Sequence, residues 1–483
     1  MNPAPRFLSV GGGLAGLTAA VRAQELGLAA VVIEAGSGPH YPCNSRIAGG
    51  ILHVSYQDVR LPAEQLRAGM RDQDVADSPQ AEAVAETAHR AFDWLRRHGV
   101  KMANFPQLKR GAWVMAPPRP MVTGLQPAAN WRGRGPDLTL QTLRARLIAL
   151  GGQFIEGARA RELIQSEGRC IGVVASRAQE ALRLEAFATL LADGGFAANP
   201  ACFREFIGPN PAEVVQRNAG SNQGDALTMA RAIGAGLRGT DSFYGHVLSR
   251  DALHNPALWP YPQVDALGAA GVIVGGDGRR LFDEGLGGIH AANQLARLDH
   301  PASAQVIIDA AIWNGPGRVG LVAPNPMLPY HGGTLHQAGD LKTLAALAGL
   351  PAPELVETVR QYNAALSAGT LAALTPPRSQ RKTPALPIQT PPFMAIPVCS
   401  GITNTMGGIH IDGHGRVLSA DGGVVPGLYA AGAATGGLEG GPTVGYVGGL
   451  IKAVVFGMRA AEDAAHRVVS HHPEENRHAI PQS

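Results

Sequence analysis

Near the start of the chain, Gly11-Gly12-Gly13-Leu14-Ala15-Gly16 puts glycines at the three spaced positions of a dinucleotide-binding turn. The chemistry such a turn supports is anion binding. Gly11 allows the tight turn, Gly13 admits a pyrophosphate to a helix N-terminus, and Gly16 lets the helix pack on its strand. Glu34 ends the next apolar run about 20 residues on, where a carboxylate can accept hydrogen bonds from a ribose. FAD and NAD share this pattern, so the choice rests on distant sequence. Leu190-Leu191-Ala192-Asp193-Gly194-Gly195 and Leu428-Tyr429-Ala430-Ala431-Gly432 each read as a strand ending in glycine. A long flavin dinucleotide needs such returning contacts, whereas a nicotinamide domain is completed locally. FAD is therefore the predicted cofactor.

The elements that must position these residues are legible in outline. Arg6–Val10, a helix over Leu14–Leu26 and Ala30–Ile33 form a βαβ unit. Helices are expected over Gln80–His98, with Gly99 past its end, and over Leu138–Leu150. Strands are expected over Phe154–Ile164, Cys170–Ala175 and Ala188–Ala192, and later over Ile409–Ile411, Arg416–Leu418 and Leu428–Ala431. A long helix is expected over Tyr446–Ala464. Between about Leu237 and Pro397 prolines and aromatics replace long regular periods, which predicts an inserted unit. The expected organisation is a discontinuous cofactor domain (1–236 and 398–470), a capping domain (237–397) and a polar, disordered tail (471–483). The fold class follows: α/β, a Rossmann-like FAD-binding domain of the glutathione-reductase type with an inserted α+β cap.

Composition narrows the function classes. The 483 residues are 45% hydrophobic and 16% charged, with a net charge of +3. Such a balance calls for neither nucleic acid nor an anionic membrane surface. No apolar run is long enough to span a bilayer. Cys43, Cys170, Cys202 and Cys399 lack metal-ligand spacing, as do His471 and His472, and predict reduced thiols in a cytoplasmic protein without a metal.

Beyond these patterns, the chain resembles the fumarate reductase and succinate dehydrogenase flavoprotein family. Within it, the chain looks most like the soluble tricarballylate dehydrogenase and ketosteroid dehydrogenase members. The resemblance is carried by Asn44-Ser45-Arg46, the stretches 157–176, 192–199 and 426–432, Gly224-Asp225-Ala226-Leu227, and Thr405-Met406-Gly407-Gly408. It implies that Asn44, Ser45 and Gly50 lie along the flavin, with Gly449 and Leu450 near its pyrimidine end. Ala35, Arg46, Gly49, Ala158, Ala192, Asp193, Gly194, Asp225 and Gly432 complete the expected cofactor set. Ala433 stands where the family carries a ribityl-binding glutamate, and the flavin-facing loop has no histidine, so FAD is expected to be non-covalent.

The family's dicarboxylate grip is largely missing. His246 falls at its first substrate histidine, counted from Gly234-Ala235. Gly288 or its neighbours replace an arginine, with His290 close by and expected on a surface loop. Thr403 and Asn404 replace histidines, and the last arginine is lost from Gly440–Gly448, leaving Thr443 and Tyr446. An imidazole, a phenol, a hydroxyl and an amide suit a ketone or monocarboxylate. Tyr446, at the expected helix start, is the first candidate for removing a proton or polarising a carbonyl, its phenolate favoured by the helix. His246 is the second catalytic candidate. Thr403, Asn404, Thr443 and Tyr244 are substrate-binding candidates, with Tyr261 a further cap contact, and Arg46 either grips a carboxylate or supports the cofactor.

The resulting expectation is an FAD-dependent dehydrogenase that introduces a C=C bond beside a ketone or carboxylate of a small substrate, cyclic ones included. It would pass electrons to a quinone, an electron-transfer protein or oxygen. The alternatives are an ene-reductase of an unsaturated carbonyl compound, or a flavin-binding electron carrier or interaction protein.

Overall fold

The computed structural model describes residues 6–104, 112–120 and 131–471. Its principal sheet has six strands in the spatial order Arg416–Leu418, Val424–Ala430, Ala188–Leu191, Phe7–Val10, Ala30–Glu34 and Gln153–Glu156. The last five run parallel. Parallel strands are buried on both faces, which is why Phe7–Val10, Ala30–Glu34 and Ala188–Leu191 are apolar runs without exposed residues. The helices Leu14–Glu25 and Gly449–His471 pack against each other on this sheet. Because the strands share a direction, Gly11, Ala35, Ala192 and Gly432 all emerge at one edge. That edge is the usual ligand crevice of such sheets.

A second sheet is organised on the 13-residue strand Phe393–Thr405. Phe243–Ser249, Gln305–Asp309 and His336–Ala338 pair with it antiparallel, and Val215–Gln216 pairs with it parallel. The strand crosses the boundary expected at 398 without a break. Buried apolar side chains form two large cores. One gathers residues 7–192 with 226–235 and 409–468, and the other takes most of its residues from between Phe196 and Ile402. Phe196, Phe203 and Val215 belong to the second core although they precede residue 237.

Most expected elements are present, with shifted ends. Phe154–Ile164 is two strands, Gln153–Glu156 and Ala158–Ser166, split at Gly157 with φ +70°. The 17-residue helix Ala352–Ala368 lies in the stretch read as irregular. The final helix starts at Gly449, three residues after Tyr446, and continues to His471; the expected tail beyond that lies outside the described residues. No helix among the described residues is long and apolar enough to cross a membrane, and none of them form a His, Cys, Asp and Glu cluster able to hold a metal.

Candidate active site

A cavity of about 870 Å³ runs from the sheet edge to the second core. It is lined by Gly11, Gly13, Leu14, Ala15, Glu34, Ala35, Asn44, Ser45, Gly49, Gly50, Ala158, Ala192, Asp193, Gly194, Asp225, Gly432, Gly449 and Leu450. The three glycines of the first turn do different work. Gly11 has φ +105°, and a side chain there would meet the Ala192 backbone; one at Gly16 would overlap the Gly11 carbonyl. A Cβ at Gly13 meets only Ser45 Oγ, at 3.4 Å, with Ala192 O at 4.0 Å. Gly11 and Gly16 thus serve the fold, and Gly13 serves what approaches the helix. The N-cap residue, Gly13, has no side chain to cap the helix and the first turn holds no acid; Ser45 Oγ accepts the Leu14 amide at 3.1 Å, and the N-terminal dipole faces the cavity with no negative charge in that turn.

Glu34 accepts hydrogen bonds from the Gly12 and Gly36 amides, both at 2.7 Å. Burial outweighs these bonds and raises its pKa. Asp193 accepts from the Ala226 amide at 2.9 Å, while its Oδ1 and both amide atoms of Asn222 are buried without partners. Buried polar atoms are rarely orphaned. Here they border a long cavity that starts at a helix N-terminus with no acid in its first turn, so the residues present fit a dinucleotide. Two predicted cofactor residues lie elsewhere. Gly16 packs against the Gly11 turn. Arg46 is buried against Asp137, its guanidinium over the Tyr41 ring at 4.4 Å, and braces the Asn44–Ile47 turn outside the cavity lining.

The far end of the cavity is lined by the titratable side chains Tyr244, His246, Asp265 and Tyr446. Strand Phe243–Ser249 pairs with Phe393–Thr405 so that Tyr244 lies opposite Asn404 and His246 opposite Gly401. His246 Nδ1 is 2.5 Å from Asp265 Oδ2, and its Nε2 is 3.2 Å from the Tyr244 hydroxyl. A carboxylate only accepts, so Nδ1 carries the proton and Nε2 is left as the acceptor. Burial lowers the His246 pKa more than Asp265 raises it, which keeps the ring neutral near pH 7. Asp265 is itself fixed by the Val247 amide at 2.7 Å.

Tyr244 stacks on Tyr446, ring centroids 4.1 Å apart. The Tyr446 hydroxyl accepts the Gly449 amide at 3.1 Å. Its loop is pinned by Glu439, which accepts from the Val447 amide at 2.9 Å, the Gly448 amide at 3.2 Å and Lys452 Nζ at 2.5 Å. The helix N-terminus expected beside Tyr446 is therefore there, but its effect on the phenol is overruled. Burial first, then Tyr244 and Glu439, push the Tyr446 pKa well up despite the Gly449 bond. Tyr446 is a phenol and a hydrogen-bond donor, not a phenolate.

Thr403, Asn404, Tyr244 and Tyr261 line the cavity, as expected. Thr443 does not: its hydroxyl bonds Asp74, next to Arg381 and Lys382. His290 is not on a surface loop but buried on the helix Gly288–Ala296, 3.3 Å from Gln294 and outside the cavity lining. Polar lining residues that the sequence patterns leave unmarked include His53, Tyr56, Arg119, Arg217 and Asp265. Arg217 stands just ahead of the Gly224-Asp225 motif, a basic residue beside a cofactor segment, and was findable. Asp265, 19 positions from its partner, gave no local signal.

Comparison with known proteins agrees with this geometry. The chain is 25% identical over 476 residues to a cytochrome fumarate reductase of Shewanella frigidimarina, covering 94% of this chain and 76% of that protein. It is 29% identical over 323 residues to the 4-oxocyclohexanecarboxylate 2-dehydrogenase of Sinomonas cyclohexanicum, covering 61% and 54%. Among curated relatives it matches, the chain spans from 36% to 76% of their length. In fold it is similar to a 3-ketosteroid delta1-dehydrogenase of Sterolibacterium denitrificans, with a TM-score of 0.69 at 20% identity over 96% of this chain and 99% of that one. The family described as FAD binding domain matches residues 8–444, nearly the whole described chain, and this protein belongs to that family.

Proposed function

We propose that the chain is an FAD-dependent oxidoreductase acting on a CH–CH bond, a dehydrogenase that places a C=C bond beside the carbonyl of a small ketone or carboxylate. One observation carries the reading: the Tyr446 phenol and the Asp265–His246–Tyr244 series border the same cavity as the dinucleotide cradle. Bound FAD would supply the hydride acceptor. Tyr446, its oxygen already engaged by the Gly449 amide, keeps its proton and donates a hydrogen bond to the substrate carbonyl, which acidifies the adjacent C–H. Tyr244 takes the C–H proton as its own passes to His246 Nε2. Asp265 holds the ring and balances the imidazolium that forms. Burial raises the Tyr244 pKa to about 12, so the phenol acts as a base only through the neutral imidazole behind it.

FAD is held without a covalent link in this reading. The loop 43–51 offers no histidine, and burial pushes the Cys43 thiol up to about 11, so it is no thiolate nucleophile. The cap formed around Phe393–Thr405 contributes the Asp265–His246–Tyr244 series, the loop ahead of the final helix contributes Tyr446, and the sheet edge contributes the cofactor cradle.

Anaerobic mixing of the purified yellow protein with cyclic ketones tests the reading. Bleaching of the flavin band supports dehydrogenation. Bleaching by dithionite alone, followed by reoxidation with an enone, assigns the reverse reaction. Indifference to both leaves an electron carrier.

A further inference from the structure

We propose that the substrate carries a carboxylate and that Arg119 and Arg217 bind it. This deepens the dehydrogenase reading and rests on it for the reaction, though not for the binding. Three arginines line the cavity. Arg159 is committed to Asp225, through Nε at 2.5 Å and Nη2 at 2.8 Å. The other two meet no carboxylate among the described residues. Arg217 donates Nη1 to Thr403 Oγ1 at 3.2 Å, and Arg119 donates Nη1 to the Ile47 carbonyl. The Nε of each is buried without a partner. The neighbouring stretches 105–111 and 121–130 contain no Asp or Glu in sequence, so they hold no acid for either guanidinium.

Two half-buried cations that repel one another are costly to keep unless an anion joins them. Burial lowers the Arg119 pKa, Tyr261 opposes that, and the Arg217 charge adds a smaller lowering. Arg217 also stands 5.6 Å from the centre of the Tyr261 ring, an apolar wall beside the charge. The fold explains its place. Val215–Gln216 pairs with Gly401–Ile402 on one side of the long strand, and Tyr244 pairs with Asn404 on the other. Arg217 therefore flanks the proton-transfer groups, and its charge lowers the Tyr244 pKa. Guanidinium groups grip carboxylates with paired N–H donors. The lightly charged pocket expected from the lost family residues is corrected accordingly: arginines from positions 119 and 217 supply the charge.

The test titrates the FAD-loaded protein with 4-oxocyclohexanecarboxylate and with its methyl ester, following the flavin absorption at pH 7 and low salt. The acid should bind about tenfold or more tightly than the ester. Arg217→Met and Arg119→Met should each reduce that preference by about tenfold while the flavin content is unchanged. Equal titration by acid and ester, silence toward both included, overturns the proposal. So does a preference that survives in both variants, or loss of flavin from both, which would assign the arginines to the cofactor. An acid that binds through these arginines without ever bleaching the flavin keeps the subsite and removes the dehydrogenase reading. Bleaching by acid and ester at equal concentrations does the reverse.

Discussion

The two ends of the cavity are built on different principles. At the sheet edge, the cradle is made mostly of backbone: glycine turns, a helix N-terminus without an acid in its first turn, and a carboxylate, Glu34, whose oxygens are occupied by the amides of Gly12 and Gly36. At the far end, the work falls to side chains whose roles depend on one another. His246 is an acceptor only because Asp265 fixes its proton, and Tyr446 is a donor because burial overrules the helix beside it. Substitutions at the first end should therefore change what is bound. Those at Tyr446, His246 and Asp265 in the second should change what is done with it.

The sharpest break is at Gly13. Gly13→Val should abolish flavin retention while leaving the fold intact, because the added atoms meet little protein and project where a pyrophosphate must pass. A yellow, folded variant by absorbance and circular dichroism would contradict the assignment. Next in size, Tyr446→Phe should keep FAD bound and cut turnover by about 100-fold or more. Unchanged steady-state turnover would remove Tyr446 from the chemistry.

A smaller effect, about tenfold on turnover, is expected for Asp265→Asn. His246 must be neutral to accept a proton, so activity falls as pH drops through its pKa, which already lies below the usual value. Removing the carboxylate that raises this pKa should move the acidic limb of the pH–rate profile to still lower pH. A lower rate with an unmoved limb would indicate a structural role only.

The smallest effect belongs to the cradle. Burial raises the Asp193 pKa to about 7, so the folded, flavin-free protein loses stability as pH rises from about 4 to about 7 and the group ionises. Asp193→Asn should leave the melting temperature of flavin-free protein unchanged near pH 4 and raise it by about 1–3 °C at pH 8. A shift of equal size at both pH values would point to packing instead.

The same contrast decides what could be read in advance. The cradle was legible because its requirements are local. A turn needing positive φ demands glycine at Gly11, and an acid about 20 residues on ends the next strand. Gly13, Glu34, Asp193 and Gly432 all fall where expected. The face proposed to be catalytic is legible only in part. His246 and Tyr446 were found through resemblance, but the phenolate assigned to Tyr446 ignored its desolvation, which depends on Tyr56 and Tyr244 closing around it. Thr443 was misplaced by a single turn of backbone: it and Tyr446 are three residues apart, and the loop directs one to Asp74 and the other to the cavity.

The sequence by itself determined the cofactor end of this protein, since glycine spacing, strand endings and a helix start are properties of short segments. Only the tertiary structure decided the reacting end. The pairing of Phe243–Ser249 and Val215–Gln216 on either side of Phe393–Thr405 brings Tyr244, His246 and Arg217 around one strand. Whether a phenol there is a donor or a base, and whether an arginine is spent or free, depends on burial and on partners remote in the chain. No local pattern encodes either.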